Sequence, residues 1–223
     1  MAALHVLRVF VNDEGEWGNP LGVFLDGADV PAPRRQAAAT ELGFSETVFV
    51  DDRKAGRVQI FTPAVEIPFA GHPLVGAAWL LRREGDAVEA LLARPGQVEV
   101  RFEDGAVFIS ADPRWSPDFE FQQLSDPSEV LRLAGPPGRG DVYAWAWVDE
   151  DAGTIRARSF APGYGIAEDE ATGSAALALS ARLGRPITVH QGRGSVLTAR
   201  PLEGGRAEVG GAVVLDEVRD YAV

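Results

Sequence analysis

Two segments constrain this chain more than any others: "HPLVGAAWLLRREG" (72–85) and "TGSAALALSARLG" (172–184). Both carry helical periodicity and are nearly all apolar through their middle turns. A helix that is apolar around its whole circumference is stable only when protein surrounds it. Each therefore needs a wall of other elements on every side. The segments leading into them also match. "FTPAVEIPFAG" runs from Phe61 to Gly71 and "FAPGYGIAEDEATG" from Phe160 to Gly173. Each reads Phe-x-Pro, then a loop with an acidic residue, then a glycine and the small-residue helix. The repeat spans about a hundred residues, far too long for a solenoid. Two similar half-molecules follow, each a curved sheet wrapped on a buried helix.

The wall is supplied by strands. Alternating or β-branched apolar runs occur at 4–11, 22–27, 46–52, 56–63, 96–103 and 105–112, and again at 141–151, 154–160, 186–193, 195–200 and 206–215. Two further helical patterns lie at 32–43 and 128–135. The segment "PRWSPDFEFQQLSDPSE" (113–129), rich in Pro, Asp and Ser, reads as the crossing between halves. This divides the chain into 1–112 and a second half at 113–212, with the last strand, near 213–223, a candidate to rejoin the first half.

Charge and composition narrow the function. With 33 acidic and 21 basic side chains the formal charge is −12, which repels phosphate backbones and anionic membranes. Neither nucleic acid nor a membrane is expected as a partner. The absence of cysteine excludes a disulfide framework, Cys-ligated zinc and the two-thiol chemistry of some racemases. No apolar run reaches the length of a membrane span or signal peptide, so a soluble, cytoplasmic protein is expected. No Walker loop, dinucleotide fingerprint, Ser-His-Asp spacing or HxxxH pair is present, and no metal is expected.

The candidate site residues cluster at the helix starts. Pro73 suits the first position of a helix, which makes His72 its N-cap. The next amides would point outward beside Gly71, whose missing side chain lets a ligand approach. Thr172, Gly173 and Ser174 open the second helix in the same way, with Asp169 just upstream. A helix start of this kind binds carboxylates or phosphates; either one alone also fits ordinary capping, and their paired occurrence favours a site. Glu46, in "GFSETVFV" (43–50), follows a helix ending in Gly43 and has apolar neighbours. Such a setting raises a carboxyl's pKa toward the range a general acid or base needs, although a strand-end glutamate facing water has the same spacing. Gly18-Asn19-Pro20 is first a turn signal, with Asn19 a candidate ligand contact.

Taken in order, "GNPLGVFLDG", "GFSETVFV", "FTPAVEIPFAGHPLVGAAWLL" and "EDEATGSAALALSARLG" resemble the phenazine-biosynthesis PhzF-like isomerase family. The resemblance implies an α+β fold of the diaminopimelate-epimerase-like type: two pseudo-symmetric domains, each a curved, mostly antiparallel sheet or barrel around a central apolar helix, with the site between them. It also implies a homodimer and a cofactor-free isomerase that moves a proton on a small carboxylate-bearing substrate. The family's catalytic glutamate falls on Glu46 and the histidine of its Gly-His motif on His72. The aspartate and serine of its Glu-Asp-Pro-x-Thr-Gly-Ser motif fall on Asp169 and Ser174. Glu46, His72 and Asp169 are then the expected proton-handling groups, with Gly71, Gly173, Ser174 and Asn19 holding the substrate. Glu170 stands where the family has proline, removing a constraint on that loop and adding a charge. The second half is shorter than in typical members, around 113–145. A non-catalytic small-acid-binding protein that keeps the fold is the alternative, and an interaction protein with an acidic surface a third reading.

Overall fold

A computed structural model describes residues 1–222, so the end of the segment 213–223 lies outside the described residues. β1 (Ala2–Val11), β2 (Asn19–Phe24), β3 (Glu46–Asp52), β4 (Arg57–Phe61), β6 (Ala90–Ala93), β7 (Gly96–Glu103), β8 (Ala106–Ala111) and β15 (Ala207–Tyr221) pair in that order. β15 then pairs back onto β1 and closes a ring. From β15 the sheet continues through β14 (Ser195–Pro201), β13 (Ile187–Gln191), β11 (Thr154–Ala161) and β10 (Val142–Asp149) to β9 (Glu120–Gln123). Among the described residues β9 has no second neighbour, so this part is curved but open.

The duplication seen in the sequence is reproduced strand by strand. The parallel pair β2–β3 corresponds to β9–β10, and the antiparallel pair β3–β4 to β10–β11. The short hairpin partner β5 (Glu66–Ile67) on β4 corresponds to β12 (Ile166–Asp169) on β11. A helix then crosses to a parallel neighbour: α2 (Gly71–Arg83) between β4 and β6, α4 (Gly173–Leu183) between β11 and β13. Among the described residues the second set has no counterpart of β1, and this is why it stays open.

Both central helices are enclosed as their composition requires. Ten of the thirteen residues of α2 are buried, which an encircling sheet alone can achieve. In α4 the buried face runs from Gly173 to Ser180 against β13, β14 and β15. α1 (Ala32–Leu42) packs outside the ring, its Ala38 and Ala39 joining a small cluster with Phe24, Phe49 and Phe61. Arg35 is buried there, donating to the Val30 and Gly27 carbonyls and pairing with Asp51 at 2.7 Å. α3 (Pro127–Arg132), capped by Asp126, lies over β10 and β11.

Three expectations need correction. The first concerns the start of α2: its N-cap is Ala70, and Gly71, His72 and Pro73 occupy the first three helical positions. Proline is tolerated at the third because that amide has no partner within the helix in any case. The second concerns 113–129, which is more than a crossing. It holds a 3-10 turn (Pro113–Trp115), β9 and the start of α3. Phe119 and Phe121 pack edge-on to Tyr143 there, an apolar alternation masked by the surrounding Pro, Asp and Ser. The third concerns the strand expected at 22–27, which begins at Asn19. The strands β5, β6, β9 and β12, of two to four residues each, are too short to show a period.

Candidate active site

The starts of α2 and α4 meet head to head. A Cβ added to Gly71 would lie 2.7 Å from the carbonyl carbon of Gly173, and one added to Gly173 would lie 3.0 Å from the His72 amide nitrogen. Only glycine at both positions allows this approach. Neither N-cap side chain bonds its own first turn: Ala70 has no polar group, and the Thr172 hydroxyl donates instead to Asp169 Oδ2 at 2.6 Å. The two first turns thus present amides that no cap consumes.

Around this junction the fold gathers groups from distant parts of the sequence. Glu46 opens β3, set there by the left-handed C-cap Gly43 (φ 67°) that ends α1. It is buried, as are His72 and Asp169, so the solvent-facing alternative for Glu46 does not apply. His72 Nε2 lies 3.4 Å from Glu46 Oε2 without hydrogen-bond geometry, and both atoms are buried and unsatisfied. Leaving a buried polar atom unmatched costs about 1–3 kcal/mol, and native structures keep few such atoms without a role.

The pair is not an ion pair. Burial, with the nearby charge of Asp169, raises Glu46 well above the ordinary carboxyl range, and burial lowers His72 to about 3. Each is driven toward its neutral form, so the proton stays on the carboxyl. Asp169 is also raised by burial, but hydrogen bonds from Thr172, Ser45 and Asn19 oppose the shift. Ser45 Oγ donates to Oδ1 at 2.8 Å and Asn19 Nδ2 to the same oxygen at 2.7 Å. Two carboxyl groups therefore share one site, with one solvated by donors and the other bare, an arrangement that separates an anion from a proton carrier.

The sequence-selected residues Glu46, His72, Asp169, Gly71, Gly173, Ser174 and Asn19 all lie in or directly beside this junction. Asn19 does more than line it: its amide bridges β2 to Asp169 and to the Ala171 carbonyl, 2.9 Å away. Residues that sequence reasoning left out complete the network. Ser45 touches Asp169 directly. Gln191 donates to the Asp169 carbonyl (2.9 Å) and to Thr172 Oγ1 (2.9 Å), while its own carbonyl accepts from the Thr172 amide and from Tyr143. Ser45 adjoins Glu46 in sequence, which was the available signal; nothing local marks Gln191. Ser116, in the crossing segment, donates to the Ser174 carbonyl at 3.0 Å.

Glu170 ties its loop down. Its Oε1 accepts from the Arg193 amide at 2.9 Å and from Ser195 Oγ at 3.0 Å, and Ser195 Oγ in turn accepts from the Gly18 amide at 3.0 Å. The constraint that proline would supply through its ring is thus supplied by hydrogen bonds. Among the described residues no group of three or more His, Asp or Glu side chains is disposed to hold a metal ion, and no helix is long and apolar enough to cross a membrane.

In sequence and fold the chain is similar to known proteins. The family model described as phenazine biosynthesis-like protein matches residues 8–115 and 139–202, skipping the segment that holds β9 and α3. A trans-2,3-dihydro-3-hydroxyanthranilate isomerase from Pseudomonas aeruginosa is 32% identical over 219 residues, covering 79% of this chain and 78% of that protein. A PhzF-family phenazine biosynthesis protein from Bacillus anthracis superposes with a TM-score of 0.79 at 18% identity, covering 100% of this chain and 99% of the other. A predicted epimerase from Pseudomonas aeruginosa gives 0.77 at 25% identity, with both chains fully covered (100%).

Proposed function

Since the chain belongs to the phenazine biosynthesis-like family and is an isomerase of the PhzF type, we propose that it shifts a proton on a small carboxylate-bearing metabolite by general acid/base catalysis, without a cofactor. The observation that carries this reading is the bare, buried Glu46–His72 pair facing the joined starts of α2 and α4. Glu46, in its ionised form, takes a proton from carbon and returns it at another position. Burial raises its pKa above the ordinary carboxyl range, the direction that suits a group that must accept a proton and then donate it. His72 relays the proton, and Asp169, whose donors oppose the upward shift that burial causes, orients the substrate and supports the charge that His72 gains in transit. The amides of Gly71, His72, Gly173 and Ser174 hold the substrate carboxylate and the oxyanion of an enolate-like intermediate, a role worth about 3–4 kcal/mol per donor in measured enzymes.

Glu46, His72 and Asp169 are each under a tenth exposed, so substrate enters when the halves 1–112 and 113–212 part and reacts when they close. The compound named for the P. aeruginosa relative, trans-2,3-dihydro-3-hydroxyanthranilate, is a ring acid with one carboxylate and serves as the reference compound for the labelling experiment. The resemblance to the family supports a homodimer, which sedimentation tests. A cytoplasmic location suits an enzyme of small metabolites, and cell fractionation tests it.

The decisive experiment is deuterium uptake into candidate acids in D₂O. Wild-type protein should label its substrate, and Glu46→Gln should lower the rate by about 10²–10⁴-fold; equal rates would remove Glu46 as the base. The open second sheet favours one other reading, a small-acid-binding protein without turnover. Its signature is thermal stabilisation by carboxylates with no labelling of any of them.

A further inference from the structure

A cleft of about 660 Å³ lies between the two halves beside the site, a size typical of small-molecule pockets. Asn19 and Ser45 line it from the first half, and both are hydrogen-bonded to Asp169 of the second. One layer of side chains thus separates cleft and site. For a substrate at the helix starts to reach Arg156, which lines the cleft, Asn19 and Ser45 must give up their bonds to Asp169.

The charges of this cleft are unevenly satisfied. Arg158 is saturated: Nε and Nη2 each donate to Glu168 at 2.7 Å, and Nη1 donates to the Leu133 carbonyl at 2.6 Å. Arg193 pairs with Glu170 at 3.5 Å and lies over the Trp17 ring. Glu168 and Glu170 are thereby committed. Arg156 is half-buried, donates through Nη2 to the Gly192 carbonyl, forms no ion pair among the described residues, and has a buried Nε–H with no acceptor. Burial pulls its pKa down, and the charges of Glu170 and Glu168 nearby only partly offset this. In a chain with net charge −12, a half-buried guanidinium with a free donor beside the site is a place for an anion.

We propose that Arg156 is a specificity residue that receives a second carboxylate, at the end of the substrate remote from the reacting carbon, so that the preferred substrates are dicarboxylates. The inference rests on the isomerase reading for where the first carboxylate sits. Nη2 is held by the Gly192 carbonyl while Nε–H has no acceptor, so the carboxylate is received through Nε–H, and Arg158, being saturated, cannot substitute for it.

The test is calorimetric titration of the full-length protein with glutarate and with butyrate, which differ by one terminal carboxylate. Wild type should prefer glutarate by about tenfold or more, Arg156→Gln should abolish that preference while leaving butyrate affinity unchanged, and Arg156→Lys should restore part of it. Equal affinity of wild type for the two acids, or binding of neither, overturns the proposal, as does an equal loss for both acids in Arg156→Gln, which would mark a merely structural arginine. If Arg156→Gln does not fold, the Arg156 Nε–H resonance of the wild type decides: it should shift as glutarate saturates, and an unmoved signal overturns the assignment. Binding is read without turnover. The dicarboxylate preference can therefore survive a failure of the deuterium experiment, and the isomerase reading can survive a failure of this one.

Discussion

At Gly71 the tolerance is a single methyl group. A Cβ there would sit 2.7 Å from the Gly173 carbonyl carbon, and the nearby atoms are backbone that cannot rotate away. Gly71→Ala should cost about 1–3 kcal/mol in urea unfolding and lower turnover, because the helix starts can no longer close on a substrate. His72 and Glu46 give opposite dependences on pH. His72 is lowered from 6.5 to about 3, so its contribution is fully present above pH 6.5 and is lost as pH falls toward 3, on the order of 5 kcal/mol at the limit. Thermal melts of His72→Gln should therefore decline less than wild type between pH 6.5 and 4. Glu46 is raised above 4.5, so its contribution is fully present below that value and is lost as pH rises through its folded pKa. Glu46→Gln should gain stability relative to wild type as pH rises, and a parallel pair of pH curves would show that Glu46 is not perturbed in the fold.

Among the elements, the loop 192–194 between β13 and β14, with Ser195 at the start of β14, shows how a missing proline is offset. Glu170 binds Arg193 N and Ser195 Oγ, and Ser195 reaches the Gly18 amide, next to the Asn19 that contacts Asp169. The tie thus joins both halves beside the site. Glu170→Ala should destabilise the protein by about 1–3 kcal/mol in denaturant melts. It should also quench or red-shift the Trp17 emission, measured as the difference from a Trp17→Phe control, because Trp17 lies against Gly194 and under Arg193. The sequence marked Glu170 as a departure but could not say what it bonds to, since its partners lie more than twenty residues away.

For the whole molecule, the unequal closure of the two sheets predicts unequal local stability. β1 is paired with both β2 and β15 over His5–Val9 and β15 with both β8 and β14 over Ala207–Gly210, whereas among the described residues β9 is paired on one side only. Amide hydrogen exchange should show β1 and the first part of β15 opening only with global unfolding, and β9 exchanging much earlier. Much of this architecture was legible in the sequence. The all-apolar helices at 72–85 and 172–184 required enclosure, their matching lead-ins required two similar halves, and "GFSETVFV" and "EDEATGSAALALSARLG" pointed to Glu46 and Asp169. What sequence could not supply is whatever depends on distant partners. Nothing local to Glu46 says that His72 Nε2 faces it at 3.4 Å, or that Asn19 and Ser45 keep Asp169 the better-solvated carboxyl. Nor do the residues near Arg156 show that the neighbouring glutamates are already committed. Hydrophobic periodicity is a property of neighbours along the chain and survives in one dimension; burial, pKa and the presence of an ion's partner are set by groups brought together in three, and only the tertiary structure decided them.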